Sequence, residues 1–336
     1  MFAQFNFFKI NPVKNQISTS KRREHLLIGL GTVLIILAFL FILIISAKSL
    51  PPKGVKIEIK KGATLPGVSQ ALTDSGVVRS QALFNALMRL SNADRHLQPG
   101  IYLFAEPKNL LRVIWQLRTG DFGVKLIKVT IPEGANNAEV GLILKKALPD
   151  LDSTVYQKVS AKLEGRLFPD TYFLSPLAST EQIVERLNEA YLDKIQPLRT
   201  LINQSGHTEN EILTMASLLE EEAKNYEAKR TISGILWKRL AQGMKLQVDA
   251  VFPFLIGKNT FDLTRKDLAH DSLYNTYKYK GLPPGPISNP GLDSIFAALT
   301  PKESPYLYYL SDKKGQMHYS ATYEEHLKNK RKYLGT

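Results

Sequence analysis

Three consecutive glutamates in this chain are candidates for acid/base chemistry. Glu220, Glu221 and Glu222 lie in a segment with helical periodicity. Adjacent acids on one helix commonly form a solvated face. Each residue turns a helix by about 100°, however, so Glu220 and Glu222 point about 200° apart. We therefore expect these carboxylates to have different surroundings.

Glu220 is the carboxylate that the periodicity places on the apolar face of this helix. It lies in line with Ala216 and Leu213. Desolvation disfavours the charged form of a carboxyl group, and a general acid must hold its proton near neutral pH. Periodicity thus selects Glu220 as a candidate acid/base, although it does not by itself establish catalysis.

A second candidate follows the Gly243-Met244 turn. Gln247 and Asp249 flank Val248 in a segment that reads as extended. Amide and carboxylate side chains can bind sugar hydroxyls. The alternative is an Asx-type turn, in which the Asp side chain bonds its own backbone. The sequence alone leaves both interpretations open.

Residues 274–291 form the most informative loop, rich in Pro, Gly, Asn and Tyr. Its prolines restrict the backbone and lower the entropy lost on ordering. Aromatic and amide side chains on a rigid loop suit a carbohydrate, because rings stack on sugar faces and amides bond hydroxyls. A proline-rich ligand for an SH3-type partner is the alternative, but the Asn, Tyr and Gly residues do not suit a free polyproline helix.

Composition excludes several classes of site. The chain has 336 residues, of which 44% are apolar and 22% charged, enough for one or two folded domains. The absence of cysteine excludes disulfides, thiolate nucleophiles and Cys-ligated zinc. The six histidines show no metal-ligand spacing, which leaves a site made of carboxylates alone as the alternative; we predict no metal. We also predict no cofactor.

The formal net charge of +13 admits nucleic acid, anionic lipid or simple solubility as its explanation. The basic residues are scattered, and no nucleic-acid motif accompanies them. We therefore expect no nucleic-acid partner. Anionic headgroups or an anionic cell wall fit the charge better.

An uncharged stretch of 22 residues, Leu26–Ala47, predicts a transmembrane helix. A cleaved signal peptide would have a shorter apolar region and a small-residue cleavage site. Basic residues flank both ends, but those at 21–23 lie against the N-terminal edge. We expect residues 1–25 in the cytoplasm and the C-terminal domains outside an inner (cell) membrane crossed once.

Residues 53–125 alternate strand and helix patterns and resemble a LysM-like module, with a simple spacer as the alternative. The pattern of residues 57–63 recurs 72 positions later at 129–135, which predicts a second strand–turn–helix unit; the two copies are either related units or share only their secondary structure. Thr208-x-x-Glu211 has the form of a capping box that starts a helix, and after a break the helical pattern continues from Ser233 to Leu240. Near the end, residues 305–310 and 317–320 predict a hairpin.

Several sequence blocks, in this order, resemble the endolytic murein transglycosylases of the MltG (YceG-like) type. The blocks are Glu164-Gly-Arg-Leu-Phe-Pro-Asp170-Thr-Tyr172, Ala216-Ser217-Leu-Leu-Glu220-x-Glu222, Arg239-Leu-x-x-Gly-Met-x-Leu-Gln247-x-Asp249, Tyr274-Asn275-Thr-Tyr277, Gly281-Leu-Pro-Pro-Gly-Pro-Ile287 and Pro305-Tyr-Leu-Tyr308. The similarity extends from about residue 55 to the end of the chain.

The resemblance implies an α+β protein, with a LysM-like domain at 53–125 and a mixed α/β catalytic domain at 126–336. It implies a lytic transglycosylase that cleaves the MurNAc-GlcNAc β-1,4 bond of peptidoglycan glycan strands. Glu220 matches the catalytic glutamate of the family. The candidates for binding substrate are Ser217, Glu222, Gln247, Asp249, Asn275, Tyr277, Asp170 and Tyr172.

The chain departs from the family pattern beside Asp249. Where the family commonly reads L-Q-[ST]-D-P-T, this chain has Val248, Ala250 and Val251. Loss of a hydroxyl at 248 could alter substrate contacts or rate. A muramidase that uses water, and a non-catalytic wall-binding or division scaffold, are the alternative functions. The family context also suggests peptidoglycan synthases as partners.

Overall fold

The computed structural model describes residues 17–45, 54–312 and 314–335. The chain divides into two compact units, Met1–Val124 and Lys125–Thr336. Helix α1, Ile17–Ile45, covers most of the predicted membrane segment. Across the described ranges, no helix has both the length and the apolar character that crossing a membrane requires. The anchor therefore stays a prediction, and residues 1–16 and 46–53 of the predicted N-terminal regions lie outside the described residues.

The described part of the first unit contains, beyond α1, a two-stranded sheet, three α-helices and a short 3-10 helix at Ala93–His96. Its elements are β1 Val55–Ile59, α2 Leu65–Asp74, α3 Gln81–Leu90, β2 Gly100–Phe104 and α4 Leu110–Thr119. Strands β1 and β2 pair antiparallel, with Val55 opposite Phe104. Leu72, Phe84 and Tyr102 are fully buried between the sheet and the helices. Burial of these side chains removes apolar area from water and stabilises the unit.

The second unit begins with another two-stranded sheet packed by helices. Its first elements are β3 Ile127–Thr130, α5 Asn137–Ala147, α6 Ser153–Ser160, β4 Thr171–Leu174 and α7 Thr180–Ile195. Strands β3 and β4 pair antiparallel, and Val129 lies opposite Tyr172. Val140, Leu144 and Leu187 are buried in this part of the core.

Helices dominate the rest of the second unit. The elements are α8 Arg199–Gln204, α9 Glu209–Glu222, α10 Tyr226–Ala241, α11 Val251–Ile256, α12 Arg265–Leu268, α13 Leu292–Leu299, β5 Tyr308–Ser311, β6 Met317–Ser320 and α14 Tyr323–Leu334. Helices α9 and α10 are joined by only three residues, and α13 packs against both. No regular element interrupts residues 274–291, in agreement with the predicted ordered loop.

The α+β class, the hairpin and the capping box are confirmed. Strands β5 and β6 pair antiparallel. The Thr208 hydroxyl accepts a hydrogen bond from Glu211 N, and the Glu211 carboxylate accepts one from Thr208 N. The predicted start of α10 near Ser233 is wrong. Asn225 caps this helix by accepting a bond from Ala228 N, so the helix begins at Tyr226.

The repeated sequence pattern corresponds to a repeated strand–turn–helix structure. In the first copy β1 leads through a turn at Gly62 into α2, and in the second β3 leads through Gly134 into α5. Both glycines have positive φ angles, 78° and 82°, which glycine adopts without steric cost. The same local geometry is thus used twice.

Candidate active site

Helix α9 positions the candidate catalytic carboxylate at its C-terminal end. Every residue from Ile212 to Leu219 is buried, so the helix is fixed in the core of the second unit. Glu220 follows directly after this buried stretch, and its side chain is only 8% exposed. The predicted partly dry environment of Glu220 is therefore confirmed.

Three donors hold the Glu220 carboxylate. Lys229 Nζ lies 2.7 Å from Oε1. Oε2 accepts hydrogen bonds from the backbone N of Gly291, at 2.9 Å, and from the Ser294 hydroxyl, at 2.7 Å. Buried charge is tolerated only where it is paired and hydrogen-bonded, and this arrangement satisfies both oxygens.

Lys229 reaches Glu220 from the first turns of α10. Its side chain is 4% exposed, because Ile232 and Leu236 on the same face of α10 pack into the core. The three-residue link between α9 and α10 turns the chain back on itself. The short link thus brings a cation on one helix opposite an anion on the other.

The N-terminus of α13 supplies the other two donors. Gly291 is the N-cap residue, and Ser294 lies in the first turn. Backbone N–H groups at a helix start have no partner within the helix, and the helix dipole favours negative charge there. Glu220 therefore occupies a place that attracts an anion.

Asn289 ties together the loops that surround this site. Its side-chain carbonyl accepts a bond from Leu167 N at 2.8 Å, and its amide nitrogen donates to Ala135 O at 2.8 Å and to Asn137 Oδ1 at 3.1 Å. Its backbone also pairs with Gly134 N and with Ala135 O. Because Asn289 is fully buried, these bonds fix the approach of the chain to Gly291.

Ser217 anchors the same loop to α9. Its hydroxyl accepts a bond from Ile287 N at 3.1 Å and donates to Thr214 O at 2.8 Å. The residue is fully buried. Its predicted contact with substrate stays a prediction, whereas its contact with the loop is direct.

Glu221 and Glu222 face different neighbours from Glu220. Glu221 is exposed, and its carboxylate lies against Gly134, where an added Cβ would come within 2.5 Å of Oε1. Glu222 instead has the Tyr309 hydroxyl and Ala250 N as neighbouring donors, and both lower the pKa of its carboxyl. The expected separation of Glu220 and Glu222 around the helix is thus confirmed.

Glu222 belongs to a polar cluster with Asp249 and Tyr277. The Tyr277 hydroxyl donates to Asp249 Oδ1 at 2.5 Å. Burial, together with the charge of Asp249, raises the pKa of Glu222 to about 7. Tyr309 and Ala250 N oppose this shift, but their effect is smaller. Burial and the bond to Asp249 also raise the pKa of Tyr277. The structure therefore brings three of the predicted substrate residues together.

The segment around Gln247 explains the departures from the family pattern in part. Val248 is 1% exposed and packs in the core, while its backbone bonds the Thr276 hydroxyl in both directions. A hydroxyl at position 248 would thus face the interior. Gln247 is exposed and has a φ of 51°, which is uncommon for a residue other than glycine. Ala250 and Val251 are likewise buried.

The remaining predicted residues serve the fold in this structure. Asn275 is fully buried; its amide nitrogen donates to Leu268 O and His270 O, and its side-chain carbonyl accepts a bond from Tyr277 N. The hydroxyl of buried Tyr172 donates to Phe168 O. Exposed Asp170 accepts a bond from Thr171 N. Contacts of Asn275, Asp170 and Tyr172 with a sugar stay predictions.

Comparison with known proteins decides the family. The pattern of the YceG-like family matches residues 57–332. The chain belongs to the YceG-like family. The endolytic murein transglycosylase of Bacillus subtilis strain 168 is 31% identical over 309 residues, which cover 84% of this chain and 85% of that protein.

Two further proteins are similar to this YceG-like protein over most of its length. An endolytic murein transglycosylase of Streptococcus pneumoniae D39 is 26% identical over 82% of this chain, which corresponds to 58% of that protein. The crystal structure of a putative YceG-like protein from Listeria monocytogenes is 30% identical, with a TM-score of 0.57. The match covers 83% of this chain and 99% of that one.

Sequence reasoning missed Lys229, Gly291, Ser294 and Asn289 as parts of the site. The helical pattern in the sequence resumes only at Ser233, so it gives Lys229 no place on a helix. A helix begun at Tyr226 would have put Lys229 on the buried face, at i, i+3 and i+7 with Ile232 and Leu236. Nothing in the sequence pattern indicates that the N-terminus of α13 reaches Glu220.

Lys229→Met should destabilise this YceG-like protein by about 3–5 kcal/mol, because it leaves the Glu220 carboxylate buried without its cation. Adding Glu220→Gln should recover part of the loss, since no unpaired charge then remains. Denaturant unfolding with an unchanged m-value measures both. Exposed Lys224→Met serves as the control. Equal losses in the single and double variants would contradict the pairing.

The raised pKa of Glu222 predicts a dependence of stability on pH. The carboxyl titrates near 7 when folded and near 4.5 when unfolded, so the folded protein binds more protons between those values. The free energy of unfolding should therefore fall as pH rises from about 5 to 7 and level off above.

Glu222→Gln should reduce this decline by up to about 1.4 kcal/mol per pH unit. Urea unfolding at a series of pH values measures the slope. Glu185→Gln is the matched control, because Glu185 is exposed on α7. Parallel curves for wild type and Glu222→Gln would refute the assignment.

Proposed function

We propose that this protein is an endolytic lytic transglycosylase of peptidoglycan with Glu220 as its acid/base. The observation that carries the proposal is the nearly buried Glu220 carboxylate, held by Lys229, Gly291 and Ser294. Membership in the YceG-like family supports it, since relatives that align over most of this chain are named endolytic murein transglycosylases.

The reaction needs one carboxyl group that works twice. In the first step Glu220 gives a proton to the glycosidic oxygen between MurNAc and GlcNAc, and the bond from that oxygen to MurNAc C1 breaks. In the second step the Glu220 carboxylate takes the proton of the MurNAc C6 hydroxyl as O6 closes on C1. A 1,6-anhydro ring forms, no water is consumed, and Glu220 is again protonated.

The donors around Glu220 suit the second step. Lys229 is a cation, and the Gly291 N–H and the Ser294 hydroxyl donate to Oε2. All three stabilise the carboxylate that exists after the proton has left and before the next one arrives. Fixed donors also hold the carboxyl in one orientation, so proton transfer needs little rearrangement at the moment of reaction.

The cluster of Glu222, Asp249 and Tyr277 is our candidate for contacts with the glycan. Its hydroxyl and carboxylate groups are those that bond sugar hydroxyls, and exposed Gln247 lies in the same segment as Asp249. These residues are proposed to orient the strand, whereas the proton transfers are assigned to Glu220 alone.

Glu220→Gln should abolish release of anhydro-ended glycans from purified sacculi, because the amide has no proton of suitable acidity to give and cannot act as the base. Mass spectrometry of the products is the measurement. The Gln carbonyl can still accept bonds from Gly291 and Ser294, but the variant leaves the buried Lys229 without its anion and should lose stability, so thermal unfolding checks that it is folded at the assay temperature. Glu185→Gln, on the exposed face of α7, should release products at the wild-type rate.

The products also discriminate between the functions. Ends heavier by one water, from the wild type, would mean hydrolysis and would refute the transglycosylase. Binding of sacculi without any product would instead mean a wall-binding scaffold. Continued anhydro release by Glu220→Gln would overturn the residue assignment.

We further propose that the protein is anchored in the cytoplasmic membrane by residues 26–47, with its catalytic unit outside. Described apolar side chains of α1, such as Leu26, Ile35 and Phe39, are exposed, which suits a lipid environment. At such a site the enzyme would cut nascent glycan strands and so end their elongation, next to peptidoglycan synthases.

The full chain should stay in the membrane pellet after a carbonate wash, whereas Leu34→Lys with Leu37→Lys should be extracted. Each lysine at the centre of a membrane helix costs about 2.5–3.5 kcal/mol. Immunoblotting of pellet and supernatant measures this, and exposed Leu90→Lys in α3 is the control. Extraction of the unaltered chain would refute the anchor.

A further inference from the structure

Glu133 lies beside Glu220 but takes no part in the two proton transfers. It occupies the turn after β3, one residue before Gly134. The residue is exposed, in contrast to the nearly buried Glu220. A ligand that approaches Glu220 from solvent therefore meets an accessible carboxylate close by.

Gly291 links the two carboxylates directly. Its N–H donates to Glu220 Oε2, and the Glu133 carboxyl lies over its Cα. A Cβ at position 291 would come within 1.9 Å of Glu133 Oε1 and 2.3 Å of Cδ. Gly291 has a φ of −73°, which any residue can adopt. The backbone conformation at 291 therefore does not require glycine, whereas a side chain there would displace the Glu133 carboxyl from its present position.

The pKa of Glu133 responds to the charges around Gly291. Loss of water around its carboxyl, followed by the negative charge of Glu220, raises the pKa of Glu133. Lys229 acts in the opposite direction, and Asp293 in the first turn of α13 acts in the same direction as Glu220. The negative charge of Glu220 thus disfavours the anionic form of Glu133, and this effect is absent while Glu220 carries its proton.

The reaction also requires a group that stabilises positive charge on the sugar. As the bond to C1 breaks, positive charge develops on C1 and the ring oxygen of MurNAc, and a fixed negative charge nearby lowers the barrier. Glu220 is neutral at the start of this step because it carries the proton. Two carboxyls that contact one glycine lie within reach of a single sugar unit.

We propose that Glu133 is a second carboxylate of the active site, which stabilises the positive charge that develops on MurNAc while Glu220 transfers protons. This role rests on the proposed function and adds to it. Glu133 forms no covalent bond and exchanges no proton, so the atoms of the reaction balance as before. Gly291 is a positioning residue for both carboxylates.

Glu133→Gln in the full chain should lower kcat about 100-fold, the scale of losing one electrostatic stabiliser, with KM changed less than about threefold. Release of anhydro ends from purified uncrosslinked glycan strands provides both constants. Glu133→Asp, which keeps the charge, should recover part of kcat. Glu185→Gln is again the control, and thermal unfolding checks that all variants are folded.

A binding experiment tests whether Glu133 acts through its negative charge or only through its place in the structure. An iminosugar analogue of the disaccharide, protonated on its ring nitrogen, should bind the wild type at least tenfold more tightly than its neutral N-acetyl counterpart. Glu133→Gln should remove that preference and leave the affinity for the neutral compound unchanged. A purely structural role of Glu133 would weaken both compounds alike.

The position of Glu133 over Gly291 is tested by a double-mutant cycle. Gly291→Ala should reduce kcat in the wild type but cost little more in a Glu133→Ala background, because the clash is then gone. An additive cost would overturn the packing argument, and wild-type kcat in Glu133→Gln would overturn the proposal. If the wild type itself forms no anhydro ends, the proposed function fails instead, and the analogue preference still tests Glu133.

Discussion

The buried ion pair between Glu220 and Lys229 is the constraint on which the second unit is organised. A charge removed from water must find its partners within the protein, and here those partners come from two helices. Lys229 comes from α10, and Gly291 and Ser294 come from the start of α13. Helices α9, α10 and α13 therefore have to pack against each other for the carboxylate to be satisfied.

The loop before α13 transmits this constraint to the neighbouring sheet. Asn289 bonds the turn after β3 and the segment at Leu167, so three stretches distant in sequence share one buried side chain. A buried amide that loses such partners costs free energy for each unsatisfied group. The loop is consequently rigid without regular secondary structure, and rigidity is what orients the donors.

Much of the fold and the central carboxylate could be predicted from sequence. Helical periodicity separated Glu220 from Glu222, since it follows from local geometry alone. The hairpin and the cap at Thr208 were also local signals. Lys229, Gly291 and Ser294 could not be found in this way, because their role depends on how α10 and α13 pack against α9. Asn275 illustrates the converse, since an amide in a promising loop proved to donate to the backbone carbonyls of Leu268 and His270.

The two strand–turn–helix copies share the glycine of the turn but differ in the residue before it. At the first turn the residue before the glycine is Lys61, and space around Gly62 is open. At the second turn the same place holds Glu133, and Gly134 is crowded by Glu221. The glycine is common to both because the backbone demands it, whereas its neighbour differs in charge. The feature that the two turns share, the glycine, reflects the backbone conformation. The feature that only the second turn has, an acidic residue before the glycine, lies beside the candidate active site.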